Sequence, residues 1–259
     1  MRERLPSLAL VGAILVLWEL YVRAAAVDPV VLPGPLRILG ALVRFRDDAI
    51  RHTLPTVLET VLGFAIAVLL AIGAAVAMDR TPAVRRAVEP ILVTSQTIPV
   101  VALAPLLLLW FGFGLAPKVV IVVLVTFFPV VVGLLDGFAA VSPQAEDLLR
   151  SYGATDGQVF RKLRWPSALP AFFTGLRIAV VYAVIGAVFG EYVGAREGLG
   201  IWMQLSQNSF RTDLVFAAIV VTSALSLALY ALVGVIRRLA IPWAPGVRHE
   251  PDVEDRPFA

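Results

Sequence analysis

The chain contains no cysteine and only two histidines among its 259 residues. The absence of cysteine excludes disulfides, thiol nucleophiles and Cys-ligated metals. His52 and His249 lie far apart in the sequence and outside the apolar segments, so we expect no metal site and no histidine-based catalytic dyad. The chain also has no G-x-x-x-x-G-K-[ST] sequence, which excludes ATP binding through a P-loop.

Charged residues are scarce as well. They make up 16% of the chain, whereas 59% is hydrophobic and the mean hydropathy is +0.86. Because a soluble domain is typically about half apolar and about a quarter charged, this balance predicts a membrane protein. The formal net charge of +3 indicates no nucleic-acid partner, since the cations lie at the ends of apolar segments, where they orient a membrane protein.

A helix of about 20 apolar residues crosses a bilayer. The first such segment could instead be a cleaved signal peptide, because Arg2 and Arg4 precede it and Ala24-Ala25-Ala26 resembles a cleavage site. Trp18 and Tyr21 suit an interfacial belt and favour a retained helix. The sequence predicts an all-α membrane protein with six transmembrane helices, at 5–24, 54–78, 95–115, 117–138, 168–191 and 213–236.

The positions of lysine and arginine predict the orientation. With the N-terminus inside, the cytoplasmic segments carry more of these cations than the exterior ones, so both termini are expected in the cytoplasm. We divide the chain into an N-terminal helix with an exterior interfacial segment (1–53), a core of five spans (54–241) and a cytoplasmic tail (242–259). The tail is polar and rich in proline, which predicts disorder.

The exterior segment between the first two spans has a pattern of its own. The turn signal Leu32-Pro33-Gly34-Pro35 precedes four apolar residues at helical spacing: Leu36, Leu39, Leu42 and Val43. This spacing predicts a short interfacial helix. A solvated loop is the alternative.

Three of the predicted spans contain prolines or repeated small residues that bear on how they pack. Pro99 and Pro105 interrupt the third span, so we expect it to face a pathway or a packed interface, unless the prolines only kink it. Small residues recur every four positions in two other spans, which predicts faces that another backbone approaches closely. These residues are Ala67, Ala71 and Ala75 in the second span, and Gly186, Gly190, Gly194 and Gly198 in and after the fifth.

A polar island, which we call the elbow (residues 142–166), separates the fourth and fifth spans. Ser142 can cap a helix that begins at Pro143, and Gly153 can end it in a left-handed turn. Thr155 and Gln158 then form a capping box for a second helix, which Pro166 is expected to stop. The elbow could insert its apolar edge into a groove of a soluble partner, or it could lie on lipid headgroups.

The elbow resembles a docking motif of ABC-importer permeases, in which EAA, three residues, Gly and nine residues precede Ile-x-Leu-Pro. Here the pattern falls on Asp147-Leu148-Leu149, Gly153, Leu163 and Trp165-Pro166, although Asp replaces Glu and leucines replace both alanines. Most of the chain is similar to the nitrate/sulfonate/taurine branch of this family. The stretches that carry this likeness are 32–35, 98–105, 109–114, 169–170 and 174–177, and the run 184–192 is most similar to thiamine-pyrimidine-precursor and riboflavin permeases.

The resemblance implies a type I ABC importer permease fold in the plasma membrane. It also implies a homodimer, cytoplasmic ATPase subunits that hold ATP and Mg, and an extracytoplasmic solute-binding protein, while this chain binds no cofactor. The expected docking positions are Asp147, Gly153 and Pro166, with Leu148, Leu149 and Tyr152 as the buried contacts. The imported solute would be of the nitrate/sulfonate/taurine type, or a thiamine pyrimidine precursor or riboflavin.

Polar residues in or near the spans are candidates for the pathway, each with an ordinary alternative. Gln96 could line a gate or bond to a neighbouring helix. Arg177 could bind an anionic group or snorkel to the surface. Glu191, at the exterior end of the fifth span, could meet the binding protein or the substrate, or it could be a solvated helix end. Glu59, in the second span, could serve the pathway or reach the interface.

Two other classes of function remain as alternatives. A stand-alone secondary transporter or channel would be expected to show internal inverted repeats and ion-coupling residues, and we find no convincing repeat. An intramembrane enzyme would need a catalytic set, and no carboxylate pair or Ser-His-Asp set can be assembled. We therefore expect a transport subunit that is not an enzyme.

Overall fold

The computed structural model describes residues 5–244, and every regular element in that range is a helix. The predicted cytoplasmic tail lies almost entirely outside the described residues. The helices are α1 (Leu5–Ala24), α2 (Pro35–Arg44), α3 (Arg46–Arg80), α4 (Pro82–Ser95), α5 (Val100–Phe111), α6 (Leu115–Ala139), α7 (Pro143–Ser151), α8 (Asp156–Val159), a π-turn (Phe160–Arg164), α9 (Trp165–Gly194), α10 (Leu199–Asn208) and α11 (Thr212–Ala240).

Four stretches of helix are long and apolar enough to cross a membrane: α3, α6, the run from α8 through α9, and α11. The bent pair α4 and α5 would make a fifth span if it crosses as one unit. The remaining predicted span corresponds to α1, a 20-residue apolar helix whose leucines, such as Leu8 and Leu17, are mostly exposed. This all-helical architecture confirms the predicted fold class.

The third predicted span, 95–115, is wrong as a single helix. α4 ends at Ser95, α5 begins at Val100, and the two helices meet at an angle of 100°. Pro99 caps α5 in an extended conformation and has no backbone N–H to continue α4. Pro99 also disfavours the α conformation at the residue before it, Ile98, and this promotes the break. Pro105, in contrast, is accommodated within α5.

The core forms where α6 packs against α9 and α3, and glycines let these helices approach closely at several points. A methyl group on Gly175 would lie 2.5 Å from the carbonyl oxygen of Pro129, and one on Gly63 would lie 2.5 Å from Val122. Gly186 and Gly190 approach α6 in the same way, and the alanines of α3 (Ala67, Ala71 and Ala75) are fully buried. The small-residue repeats are therefore packing faces, as predicted.

The predicted helix after the turn at 32–35 is present as α2, and its interfacial location stays a prediction. Its buried side is formed by Ile38 and Ala41, whereas Leu36, Leu39 and Val43 are exposed. α2 is therefore amphipathic, with an apolar stripe that faces away from the protein.

The elbow folds as two short helices with the predicted caps. The hydroxyl of Ser142 accepts the Ala145 N–H at 3.4 Å, and Gly153 turns the chain with φ +81°. The reciprocal capping box of Thr155 and Gln158 begins α8. These local signals act as the sequence indicates, because each depends on neighbours within four residues.

The predicted end of the elbow at Pro166 is wrong. α8, the π-turn and α9 form one helix of 39 residues, Asp156–Gly194, and Pro166 lies in the first turn of α9. A proline normally disrupts the i→i−4 hydrogen bonds before it. Here the chain adopts a π-turn at that point, in which the Trp165 N–H bonds to the carbonyl of Phe160, so the helix accommodates the proline without ending.

Candidate functional site

The tip of the elbow presents apolar side chains on the surface of the described chain. Tyr152 is 82% exposed and Leu148 is 57% exposed, while Leu149 is half-buried. Asp147 and Gly153 lie beside them and are exposed. Large apolar side chains grouped on a polar loop typically mark a contact surface. The structure therefore brings together five of the six predicted docking residues, and it separates Pro166 from them.

Gly153 is required by backbone conformation and not by lack of space. Its φ of +81° lies in the left-handed region, whereas an added methyl group would meet no atom within 4 Å. The turn is closed by hydrogen bonds from the N–H of Gly153 to the carbonyl of Arg150 (2.9 Å) and from the N–H of Ala154 to that of Leu149 (3.1 Å). Glycine alone adopts this conformation without strain.

A single arginine braces the elbow against the transmembrane core. Arg164 donates one hydrogen bond to Glu146 of α7 at 2.9 Å and another to Asp79, at the end of α3, at 2.5 Å. The two carboxylate side chains are 18% and 9% exposed. Because Arg164 itself precedes α9, this cluster connects α3, α7 and α9 at one point. Sequence reasoning missed it, since its members lie 18 and 85 residues apart.

Aromatic packing reinforces the same junction. The rings of Phe138 and Phe160 lie 5.7 Å apart, and those of Phe160 and Trp165 lie 6.1 Å apart. The guanidinium of Arg80 lies over Phe160 at 4.9 Å. These contacts join the elbow directly to α3, α6 and α9.

An open cavity of about 770 Å³ lies between α5, α6 and α9. Its lining is mainly apolar, with Phe128 and Tyr182 as the aromatic members. Gln96 and Thr174 line it with Asp136, and among its described lining residues no lysine or arginine occurs. Gln96 is therefore placed where a pathway residue was predicted, although its role stays a prediction. Asp136 was missed, because it lies at the end of an otherwise unremarkable apolar run.

A second cavity, of about 860 Å³, lies at the other ends of these helices and contains a buried ion pair. Lys118 Nζ lies 2.5 Å from Glu59 Oε1, and both residues are largely buried, with 9% and 2% of their surface exposed. Glu59 Oε2 has no hydrogen-bond partner in the described part of the chain. Lys118 is the second residue of the fourth predicted span, 117–138. Sequence reasoning missed its pairing with Glu59, because the two lie 59 residues apart.

Glu191 is fully buried, so its alternative as a solvated helix end is wrong. Its Oε2 accepts the N–H of Gly200 at 2.6 Å. Thr56 Oγ1 accepts the N–H of Leu199 at 2.9 Å, and His52 Nδ1 accepts that of Gly198 at 3.1 Å.

Thr56 also donates its hydroxyl proton to Glu191 Oε1 at 2.6 Å. Side chains of α3 and α9 therefore satisfy the first N–H groups of α10, which a helix cannot pair internally. On the same side of the molecule, Arg51 forms a hydrogen bond with Glu197, and this bond together with its charge lowers the pKa of the Glu197 carboxyl.

Arg177 is half-buried and lies against α11. Its guanidinium carbon is 5.1 Å from the centre of the Tyr230 ring, and Gly234 leaves room for it, because a methyl group there would meet Arg177 at 2.7 Å. A cavity that Arg237 and Arg238 also line lies beside it. The structure thus separates Arg177 from the Gln96 cavity. The described residues contain no group of three or more His, Asp or Glu that could hold a metal ion.

A helical bundle with an open cavity and an exposed elbow matches a known architecture. The fold aligns with the MetNI methionine ABC transporter in an inward-facing form at a TM-score of 0.60 and 19% identity, over 73% of this chain and 92% of that one. It aligns with an amino acid ABC transporter at a TM-score of 0.59 and 17% identity, over 79% of this chain and 97% of that one. The fold is that of the membrane subunits of type I ABC importers.

The sequence comparisons agree. Residues 63–241 match the model of the binding-protein-dependent transport system inner membrane component, and the chain belongs to this family. It is 40% identical to the formylaminopyrimidine transport permease protein ThiX of Halalkalibacterium halodurans, over 89% of this chain and 92% of that one.

Two further relatives align over most of their length. The riboflavin transport system permease protein RibX of Chloroflexus aurantiacus is 33% identical, over 89% of this chain and 87% of that one. The taurine transport system permease protein TauC of Escherichia coli is 29% identical, over 92% of this chain and 89% of that one. The family assignment made from the elbow motif is thus confirmed, and the chain is a membrane-spanning permease subunit of an ABC importer.

Proposed function

We propose that this chain forms the homodimeric pathway of an importer for small neutral nitrogen heterocycles, of the kind that a formylaminopyrimidine represents. A separate extracytoplasmic binding protein delivers the solute, and separate cytoplasmic ATPase chains bind ATP and Mg. The chain itself binds no cofactor and catalyses no covalent step. Both termini lie in the cytoplasm.

The lining of the Gln96 cavity carries the choice of solute. The cavity offers Phe128 and Tyr182 for stacking, and Asp136 to accept a hydrogen bond from an exocyclic amine. A sulfonate would be expected to need a cationic partner in a partly desolvated cavity, and no lysine or arginine lines this one within the described residues. The two relatives with 40% and 33% identity are named for heterocycles, which supports the same choice.

The exposed elbow carries the proposed coupling. Leu148, Leu149 and Tyr152 enter a cleft of the ATPase, Gly153 shapes the turn that presents them, and Asp147 lies exposed beside them. When the ATPases close on ATP, the elbow moves, and the Arg164 cluster transmits the movement to α3 and α9. The Glu59–Lys118 pair lies near the opposite ends of the helices, where an outer gate would close.

Transport by reconstituted components tests the proposal. The permease is placed in proteoliposomes with its ATPase and binding protein, and uptake of labelled formylaminopyrimidine, riboflavin and taurine is measured with and without ATP. We expect ATP-dependent uptake of a heterocycle and no uptake of taurine. Taurine uptake alone would contradict the proposed solute. Uptake driven by an ion gradient through the permease alone would contradict the proposed coupling.

A further inference from the structure

The helix α2 carries a basic stripe beside its exposed apolar stripe. Leu36, Leu39 and Val43 are 58%, 54% and 73% exposed. Arg37 and Arg44 are seven residues apart and hence on one face of the helix, with Gly40 between them. Such an arrangement is typical of helices that lie at the boundary between acyl chains and headgroups.

The basic stripe borders a cavity of about 470 Å³. Arg37, Gly40 and Arg44 line it from α2, and Arg211 and Asp213 line it from the start of α11. An added methyl group on Gly40 would meet no atom within 4 Å, so the cavity is open on this side.

Arg211 is held in place before any ligand arrives. It donates two hydrogen bonds of 3.0 Å to the two carboxylate oxygens of Asp213. Its guanidinium also lies over the ring of Phe45, at 5.1 Å from the ring centre. Arg211 is therefore preorganised, and a bound ligand would not have to order this side chain.

The charges at the cavity do not balance. Asp213 is the one carboxylate among the described residues that line the cavity, and it already forms an ion pair with Arg211. In the described part of the chain, neither Arg37 nor Arg44 has a carboxylate within the 4.0 Å of an ion pair. Two guanidinium groups thus line the cavity without a direct ion pair, and the lining carries three arginines against one carboxylate. Guanidinium groups are well suited to bind phosphate oxygens in pairs.

We propose that this cavity binds the phosphate of an anionic phospholipid, whose acyl chains lie along Leu36, Leu39 and Val43. The continuous apolar stripe favours a lipid over free phosphate, because only a lipid has acyl chains that can cover it. The surplus positive charge favours an anionic headgroup over a zwitterionic one, since the one carboxylate among the described lining residues, Asp213, is already paired with Arg211. The lipid would fasten α2 to the start of α11.

Lipid binding to the purified full-length permease tests this directly. Native mass spectrometry counts the bound phosphatidylglycerol and phosphatidylcholine, and a fluorescent phosphatidylglycerol gives the affinity. We expect wild type to retain phosphatidylglycerol in preference to phosphatidylcholine. The double substitution Arg37→Gln/Arg44→Gln should weaken phosphatidylglycerol binding about thirtyfold, since each basic residue near an anionic lipid contributes about a fivefold effect.

Two further variants separate the cavity from general surface charge. Gly40→Leu fills the cavity without changing the charge and should also lower phosphatidylglycerol binding. Arg46→Gln/Arg51→Gln removes two exposed charges that do not line the cavity and should leave binding unchanged. Elution as a single species in size-exclusion chromatography confirms that each variant is folded.

Three results would overturn the proposal. Equal loss in the control double variant would mean that charge acts diffusely. Unchanged binding in Gly40→Leu would mean that the lipid lies elsewhere. Displacement of phosphatidylglycerol by millimolar inorganic phosphate would mean that the cavity takes free phosphate and that the apolar stripe plays no part.

Discussion

Replacing Arg164 should uncouple ATP hydrolysis from transport. Arg164→Gln removes the cation that Asp79 and Glu146 share, and it leaves two carboxylates that are 9% and 18% exposed without their partner. Removing one partner of a fully buried ion pair costs about 3–5 kcal/mol, whereas an exposed pair contributes about 0–1 kcal/mol. Because Arg164 is 26% exposed, we place the cost between these limits, at about 2 kcal/mol.

That cost falls on the contact between the elbow and α3, since both carboxylates lie there. A change of about 2 kcal/mol shifts the equilibrium between a braced and a loose elbow roughly thirtyfold. We therefore expect proteoliposomes with Arg164→Gln to hydrolyse ATP but to import severalfold less solute per ATP. The assay measures phosphate release and labelled-solute uptake in the same preparation.

A matched variant separates bracing from general charge. Arg161→Gln changes a neighbouring exposed arginine for which the described residues show no carboxylate partner, so its uptake per ATP should equal that of wild type. If Arg164→Gln imports as much solute per ATP as Arg161→Gln does, the reasoning about the brace is refuted.

Three further predictions concern separate parts of the site. Gly153→Ala places a side chain at φ +81°, so it should destabilise the turn by about 1 kcal/mol and lower ATP-dependent uptake. Gly157→Ala lies in a helix and should leave uptake unchanged, and uptake assays distinguish the two variants. Thr56→Val leaves the Leu199 N–H unpaired and should destabilise the protein by about 1–3 kcal/mol, which would be measured as a lower Tm. Thr222→Val loses only a hydrogen bond to its own helix and should lower Tm less. Asp136→Asn should weaken uptake of an aminopyrimidine more than that of riboflavin; equal effects on both solutes would argue against a contact with an exocyclic amine.

The parts of the structure that the sequence predicts well are those set by neighbouring residues. The Ser142 cap, the Gly153 turn and the Thr155–Gln158 capping box each involve residues within four positions, and all three form as predicted. The glycine repeat of α9 and the apolar runs of α3, α6, α9 and α11 are equally local patterns, and they correctly indicate packing faces and membrane-length helices.

The parts that escaped prediction depend on distant residues or on backbone adjustment. Lys118 looks like a cation at the end of a span until α3 brings Glu59 to it, and Glu191 looks solvated until α10 folds over it. Pro166 looks like a helix stop because a proline clashes with an ideal α-helix, and only the π-turn before it removes the clash. None of these partners is marked in the sequence near the residue concerned.

The contact between Tyr152 and the ATPase tests the central claim most directly. Because the chain has no cysteine, Tyr152→Cys introduces a unique thiol at an exposed position of the elbow, and Leu69→Cys introduces one at an exposed position of α3 within the membrane-spanning region. With a thiol-to-amine cross-linker and the assembled transporter, we predict that Tyr152→Cys is joined to the ATPase, that Leu69→Cys is not, and that cross-linking stops ATP-dependent uptake. Undiminished uptake by a transporter in which Tyr152→Cys never cross-links to the ATPase would contradict the account.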